Sequence, residues 1–120
     1  IQAVMDLEQL KSLQRACREI FVHPSLMEYL VAIVQATRDA RRTLLGVSPR
    51  GTLAFLRASQ AYALVQGRDY VVPEDIKTLA VPVLSHRIVP AGGSPDGSEK
   101  RKVIRQALCS AAVPSEDWKR

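Results

Sequence analysis

The sequence predicts an all-α protein, a small bundle of four to five helices with a short extended turn before the fourth helix. Apolar residues return every three or four positions over long stretches, which is the period of an amphipathic helix. Proline and glycine stand at the ends of these stretches rather than inside most of them. Because a helix with one apolar stripe is buried only against a neighbour, these helices should pack together in 120 residues.

The first two helices are separated by the dipeptide His23-Pro24. Residues before proline avoid the helical region, so the first helix should end there, and Pro24 can open the second. The apolar face of the first helix comprises Val4, Leu7, Leu10, Leu13, Cys17 and Ile20. That of the second comprises Leu26, Tyr29, Leu30, Ile33, Val34 and Thr37.

The third helix has the clearest boundaries. Ser48 is a preferred N-cap and Pro49 a preferred first-turn residue. The Ala- and Leu-rich run Leu53–Val65 forms the body, and Gly67 suits the left-handed residue that follows a helix.

Beyond Gly67 we expect an extended piece at Tyr70-Val71-Val72 with one or two strand pairings. The tripeptide Pro73-Glu74-Asp75 then opens a fourth helix, with a kink or break near Ala80–Pro82. Residues 1–89 form the helical body, residues 90–99 a flexible linker, and residues 100–120 a closing helix and a frayed tail. Because the chain starts at Ile1 rather than Met, we expect a segment of a longer protein.

Several classes of protein are excluded by composition and motif. No apolar run is long enough for a membrane span, and no secretory signal precedes the first helix. Cys17 and Cys109 are too few for a disulfide scaffold, and we interpret them as reduced thiols of a cytoplasmic protein. No metal site, HExxH, GxSxG or glycine-rich dinucleotide loop is present, and His23 and His86 have no recognisable nucleophile partner.

The net charge is +5, and its densest part comprises Lys100, Arg101, Lys102 and Arg105. One interpretation is a solvated helix face, and the alternative is a basic helical module that binds nucleic acid. Proteins that bind nucleic acid usually interleave aromatic residues with basic ones, and none lies near this cluster. Nucleic-acid binding is therefore the less favoured alternative.

The segment 46–52 resembles a phosphate-binding loop but lacks the essential lysine, and we expect an arginine-bearing helix before it rather than the buried strand that a P-loop needs, so we reject a P-loop. Arg50 nevertheless falls in the first turn of the third helix, where the helix dipole disfavours a cation. An external anion such as a phosphate would explain this position, since guanidinium binds phosphate bidentately. Pairing with a nearby carboxylate, or extension into water, would explain it equally.

Four segments in order resemble the C-terminal lid of MoxR-type AAA+ ATPases: Ala36-Thr37-Arg38, Gly46-Val47-Ser48-Pro49-Arg50-Gly51, Gly67 to Ile76, and Leu84-Ser85-His86-Arg87. The similarity is strongest over residues 15–90. It implies an AAA+ lid bundle that closes over ATP and Mg²⁺ held by a separate core domain. By motif, Arg50 would be the sensor 2 arginine, Ser48 and Pro49 would aim it, and Arg38 would support the nucleotide or contact a neighbouring subunit.

The resemblance also implies partners for the full-length protein. These are its own AAA+ core, neighbouring subunits of a ring, expected to be a hexamer, and proteins with von Willebrand factor A domains. Hydrolysis would be coupled to chaperone-like remodelling. The Walker A and Walker B elements are absent from these 120 residues, so this chain alone should not hydrolyse ATP. Gly51 departs from the alanine common in the family, which should loosen the first turn.

Overall fold

The computed structural model describes residues 2–39, 41–92 and 97–119. Within these residues the fold is helical, as predicted, with one small sheet and one 3₁₀ turn at Ser85–Arg87. The helices are Leu7–Glu19 (α1), Pro24–Ala36 (α2), Pro49–Val65 (α3), Pro73–Leu84 (α4) and Ser98–Ser110 (α5). The strands are Thr43–Leu45 (β1) and Val89–Pro90 (β2).

Helix α3 occupies the middle of the bundle. It packs most extensively against α4 and also contacts α1 and α2, while α5 covers α2 and α4 from the other side. The apolar core includes side chains from α2, α3, α4 and α5, among them Leu26, Ile33, Phe55, Ile76 and Ile104, each without exposed surface. The fully buried Ile104 shows that α5 is part of the same core.

Helix α1 differs from the prediction in how much of its apolar face is buried. Asp6 caps it by a capping box with Gln9, and it ends at Glu19 rather than at His23-Pro24. No residue inside α1 is buried, and Leu7 and Leu10 stay exposed. The expectation that the first helix buries its stripe within this chain is therefore wrong for the part of the stripe inside α1, whereas Ile20, just after the helix, is buried. Among the helices, α1 packs mainly against α3.

The second helix, the third helix and the extended turn follow the prediction. The predicted apolar face of α2 is buried, including Thr37 just after it. Gly67 has φ +74°, the left-handed conformation expected after α3. Tyr70 forms a single parallel bridge with Phe21, through Phe21 N donating to Asp69 O at 2.8 Å and Val71 N donating to Phe21 O at 2.9 Å.

Pro82 does not break α4, so of the kink or break expected near Ala80–Pro82 the break is excluded. The helix continues to Leu84, and Ser85 N donates to Val81 O beyond the proline. Pro82 lies in the last turn and is exposed, so only one backbone hydrogen bond is lost and the ring meets little packing.

The antiparallel pair of β1 and β2 was missed from the sequence. Thr43 pairs with Pro90 and Leu45 with Val89, and Ala91 N donates to Arg42 O at 2.8 Å just beyond them. Two strands of three and two residues carry too few positions for an alternating pattern to be recognised. This pair holds the segment before α3 against the segment that leaves α4.

The region expected to be a linker is structured at both ends. Pro90 belongs to β2 and Ser98 begins α5, whereas residues 93–96 of the expected linker lie outside the described residues. Residues 111–119 contain no helix, yet Trp118 packs partly buried against the core. Its ring meets that of His23 edge-on, with centroids 5.9 Å apart.

Candidate functional site

The first turn of α3 is built as the sequence predicts. Ser48 is the N-cap, with extended backbone, and its Oγ accepts a hydrogen bond from Gly51 N at 3.2 Å. Pro49 follows in the first helical position. The capping hydroxyl satisfies one amide of this turn, while other amides at a helix start have no intrahelical acceptor. The turn is therefore an electropositive helix end with a defined direction.

Arg50 extends from this turn into solvent. It is exposed, and the first turn of α3 contains no acidic residue. Among the described residues, no carboxylate lies within ion-pairing distance of its guanidinium. Of the two alternatives to an external anion, the structure therefore excludes pairing with a carboxylate of the described residues and contains extension into solvent. A cation remains at the positive end of a helix, where it is disfavoured unless an anion is added.

Thr37 and Arg38 hold the segment that leads into this turn. Thr37 Oγ1 accepts a hydrogen bond from Val47 N at 3.0 Å and donates to Val34 O at 2.6 Å. Arg38 donates to Val47 O from Nε at 3.2 Å and from Nη2 at 3.0 Å. Both backbone groups of Val47 are thereby fixed to the end of α2, so the start of α3 has a set position. The two arginines that the sequence assigns to the site, Arg38 and Arg50, both belong to this junction, and Arg38 is hydrogen-bonded to the backbone of Val47.

Gly51 allows a close approach that a larger residue would prevent. A Cβ added there would lie 2.7 Å from Val47 Cγ1 and 3.3 Å from Arg87 Cδ. Val47 is almost completely buried and cannot easily move away. Glycine at this position is therefore explained by packing, and the departure from alanine fits this junction.

The same contact reveals Arg87, which sequence reasoning did not assign to the site. Arg87 belongs to the Ser85–Arg87 turn after α4, is exposed, and donates from Nε to Val83 O at 3.1 Å. Its aliphatic stem lies beside the first turn of α3. The only sequence signal was the joint occurrence of the two motifs, since 37 positions separate Arg50 from Arg87.

A shallow apolar groove of about 370 Å³ adjoins the first turn of α3. It runs between α2 and α3, and Arg38 and Pro49 belong to its wall. Val31 and Leu53 leave 42% and 63% of their surface exposed beside it. The site therefore combines a cationic helix start with adjacent uncovered apolar surface.

The segment Gly67–Ile76 is tied down by a buried ion pair. Asp75 accepts hydrogen bonds from Arg68 Nη1 at 2.8 Å and Nη2 at 2.6 Å, and from Val72 N at 2.9 Å. The hydrogen bond to Asp75 raises the pKa of Arg68, and partial burial opposes that rise. This pair links the residues just after α3 to the start of α4 and so has a structural role.

The other titratable side chains to consider in the described residues are a buried tyrosine and two cysteines. Tyr29 is buried with no partner for its hydroxyl in the described structure, and burial, followed by the nearby Glu74 and Cys109, raises its pKa. The two thiols are unpaired, and no cluster of three His, Cys, Asp or Glu side chains suited to a metal ion occurs in residues 2–39, 41–92 and 97–119. No helix of the described chain is long and apolar enough to cross a membrane.

Comparison with known families identifies this architecture. Residues 35–107 match the AAA lid domain family, and the chain belongs to that family. The matched range contains both the Thr37–Arg38 junction and the first turn of α3.

Individual relatives define the branch of the family. The chain is 38% identical over 95% of its length to the uncharacterized protein YeaC of Bacillus subtilis, and 33% identical over 92% to the chaperone MoxR1 of Mycobacterium tuberculosis. It is 34% identical over 74% to the protein MoxR of Paracoccus denitrificans. The crystal structure of a "putative ATPase" from Cytophaga hutchinsonii superposes with a TM-score of 0.71 over 84% of this chain, at 28% identity. The chain is thus a lid domain of the MoxR family of AAA+ proteins.

The chain spans about a third of these relatives. It corresponds to 36% of YeaC, 32% of MoxR1 and 29% of MoxR, and to 34% of the Cytophaga chain.

Proposed function

We propose that this chain is the sensor 2 lid of a MoxR-type AAA+ ATPase, and that Arg50 reaches a phosphate of ATP held with Mg²⁺ by a separate core domain. One observation carries the proposal. Arg50 stands exposed at the positive end of α3 with no carboxylate partner in the described chain. A triphosphate would turn this unfavourable position into a favourable one, since amides and guanidinium would face the same anion.

The surroundings of Arg50 support the same function. The bonds from Thr37 and Arg38 to Val47 fix the direction of the turn, which a residue that reads phosphate needs. The aliphatic stem of Arg87 lies beside the same turn. The apolar groove between α2 and α3, and the exposed stripe of α1, would be covered by the core domain when the lid closes.

In this proposal the lid converts nucleotide state into motion. Closure over ATP and release after hydrolysis would rotate the five-helix bundle as one body, the hinge type of transition. The family resemblance extends this to a ring, expected to be a hexamer, in which Arg38 would support the nucleotide side or contact a neighbouring subunit. The proposed role includes chaperone-like remodelling of client proteins. It also includes binding to partner proteins that contain von Willebrand factor A domains.

The test is the Arg50→Ala variant of the full-length protein that contains this chain. We expect kcat for ATP hydrolysis to fall by about 10³-fold, the effect of removing an arginine that stabilises phosphoryl transfer. Arg50→Lys keeps the charge and loses the bidentate geometry, so its activity should be intermediate.

The control is Arg57→Ala on the same helix. Arg57 donates to Gln60 Oε1 at 2.9 Å, away from the first turn, and its removal should leave kcat within about twofold. Circular dichroism of each variant checks that the fold is intact. If Arg50→Ala hydrolyses ATP at the same rate as the unchanged protein, Arg50 is not a sensor of the phosphate.

A further inference from the structure

The exposed face of α5 carries an unusual concentration of positive charge. Arg101, Lys102 and Arg105 lie on one face of the helix, at spacings of one, three and four positions. Val103, Ile104 and Ala107 occupy the opposite face and are buried. The charged stripe is therefore displayed to solvent by a helix whose orientation is fixed by the core.

A second, distant segment adds to this stripe. Arg41 and Arg42 follow α2, and Arg42 Nη1 donates to Gln106 Oε1 on α5 at 2.9 Å. Together the two segments line two adjoining surface depressions of about 480 and 340 Å³, which share Lys102 and Gln106. We call this surface the α5 basic groove; its cations are Arg41, Arg42, Arg101, Lys102 and Arg105.

Few negative charges balance these cations. Glu99 is the one carboxylate among the described lining residues, and its Oε1 lies 3.9 Å from Lys102 Nζ. Asp39 lies 3.7 Å from Arg42 Nε. In the described chain the guanidinium groups of Arg41, Arg101 and Arg105 have no carboxylate within 4 Å.

The two ion pairs and the hydrogen bond to Gln106 leave most of this positive charge unbalanced in the described chain. Like charges four positions apart, as in Arg101 and Arg105, destabilise an isolated helix, and cations near a helix start oppose its dipole. The hydrogen bond between Arg42 and Gln106 brings further positive charge to the same place. A negatively charged partner would offset the repulsion.

We propose that the α5 basic groove is a docking surface for a short acidic peptide segment of another protein. This inference is independent of the role of Arg50. The groove follows α5 from Ser98 to Cys109, about 17 Å at the helical rise, which an extended segment of about five residues would span. Guanidinium groups suit carboxylates, which they bind bidentately.

The lining favours a peptide over a nucleic acid. The part beside α5 is mainly apolar between its charges, including the stem of Arg105 and the side chain of Cys109. No aromatic side chain lines either depression in the part of the chain that the structure describes, so no stacking platform for bases is present there.

The experiment measures binding of fluorescein-labelled hexaglutamate to the 120-residue chain by fluorescence anisotropy at low salt. Hexaglutamine serves as the uncharged probe, and a single-stranded hexanucleotide as the polyanion without carboxylates. We expect hexaglutamate to bind most tightly and hexaglutamine not at all. The double variant Arg101→Ala/Arg105→Ala should weaken hexaglutamate binding at least about tenfold, and Arg41→Ala several-fold, because charge-assisted hydrogen bonds are lost.

The matched control is Arg15→Ala/Arg18→Ala, which removes two exposed arginines of α1 and the same net charge. This control should bind hexaglutamate like the unchanged chain. Three results overturn the proposal: no binding of hexaglutamate at low salt, an equal loss in the α1 control, or tighter binding of the oligonucleotide. The second result would indicate attraction by net charge alone, and the third would indicate a nucleic-acid site. Circular dichroism establishes that every variant compared is folded, and all substituted side chains are exposed.

Discussion

Replacing Arg68 by Met removes one partner from the buried ion pair between the end of α3 and the start of α4. The change deletes the two hydrogen bonds to Asp75, at 2.8 and 2.6 Å, and the bond from Arg68 Nη1 to Tyr70 O at 2.9 Å. Asp75 is then left with Val72 N as its hydrogen-bond donor. Its side chain is only 2% exposed, so water cannot replace the guanidinium without local opening.

The expected cost is about 3 kcal/mol of unfolding free energy, at the low end of the range for breaking a buried ion pair. The low end applies because the side chain of Arg68 is 24% exposed and solvent can partly reach the pair. For a chain of this size the melting temperature should fall by about 10 °C. The raised pKa of Arg68 predicts stability that is present below the unfolded pKa and lost only as pH rises through the folded pKa. Both lie far above neutral, so the cost should be the same at about pH 6 and about pH 9.

Urea unfolding followed by circular dichroism measures this cost directly. Lys77→Met is the matched control, because Lys77 Nζ lies 3.6 Å from Glu74 in an exposed pair of α4 and should contribute less than about 0.5 kcal/mol. The double variant Arg68→Met/Asp75→Leu should recover much of the lost stability, since no buried charge remains unpaired. A cost for Arg68→Met no larger than that of the control would refute the reasoning, because the pair would then behave as a surface ion pair.

Two further substitutions, each compared with a control substitution, test the backbone and the packing. Gly67→Ala should destabilise the chain by about 1 kcal/mol because φ is +74° and not because of contacts, since nothing lies within 4 Å of an added Cβ. Gly92→Ala, also without neighbours and with no positive φ, should leave the free energy of unfolding nearly unchanged in the same urea titration. Ile104→Ala should cost about 3 kcal/mol as a buried residue, whereas Leu10→Ala, 42% exposed, should cost less than about 1 kcal/mol. If Ile104→Ala left the unfolding curve unchanged, α5 would not share the core of α2 and α4.

Local signals in the sequence were sufficient for most of the fold. Ser48 and Pro49 predicted the start of α3, and Gly67 its end, because caps act within a few residues. The β1–β2 pair could not be predicted, since it joins segments more than forty positions apart through backbone bonds that no side-chain pattern announces. The exposure of the apolar stripe of α1 could not be predicted either, because periodicity predicts an apolar face and not the surface that covers it.

The candidate site shows the same division between local and long-range information. The position of Arg50 in a helix start followed from three neighbouring residues, and the unfavourable placement of its charge is evident from the amino-acid order alone. The bonds that give the turn its direction come from Thr37 and Arg38 at the end of α2, and the aliphatic stem beside the turn comes from Arg87 after α4.

Three helix ends therefore meet at the first turn of α3, and each contributes something different. The end of α2 supplies donors and an acceptor for Val47, the start of α3 supplies directed amides and Arg50, and the end of α4 supplies Arg87. Because Gly51 has no Cβ, Val47 and the stem of Arg87 can lie close to the first turn of α3. A change in any of these segments should disturb Arg50 even when Arg50 itself is unaltered. Under the proposed function, a rigid junction of this kind would let a phosphate contact at one turn move the whole bundle rather than bend a loop.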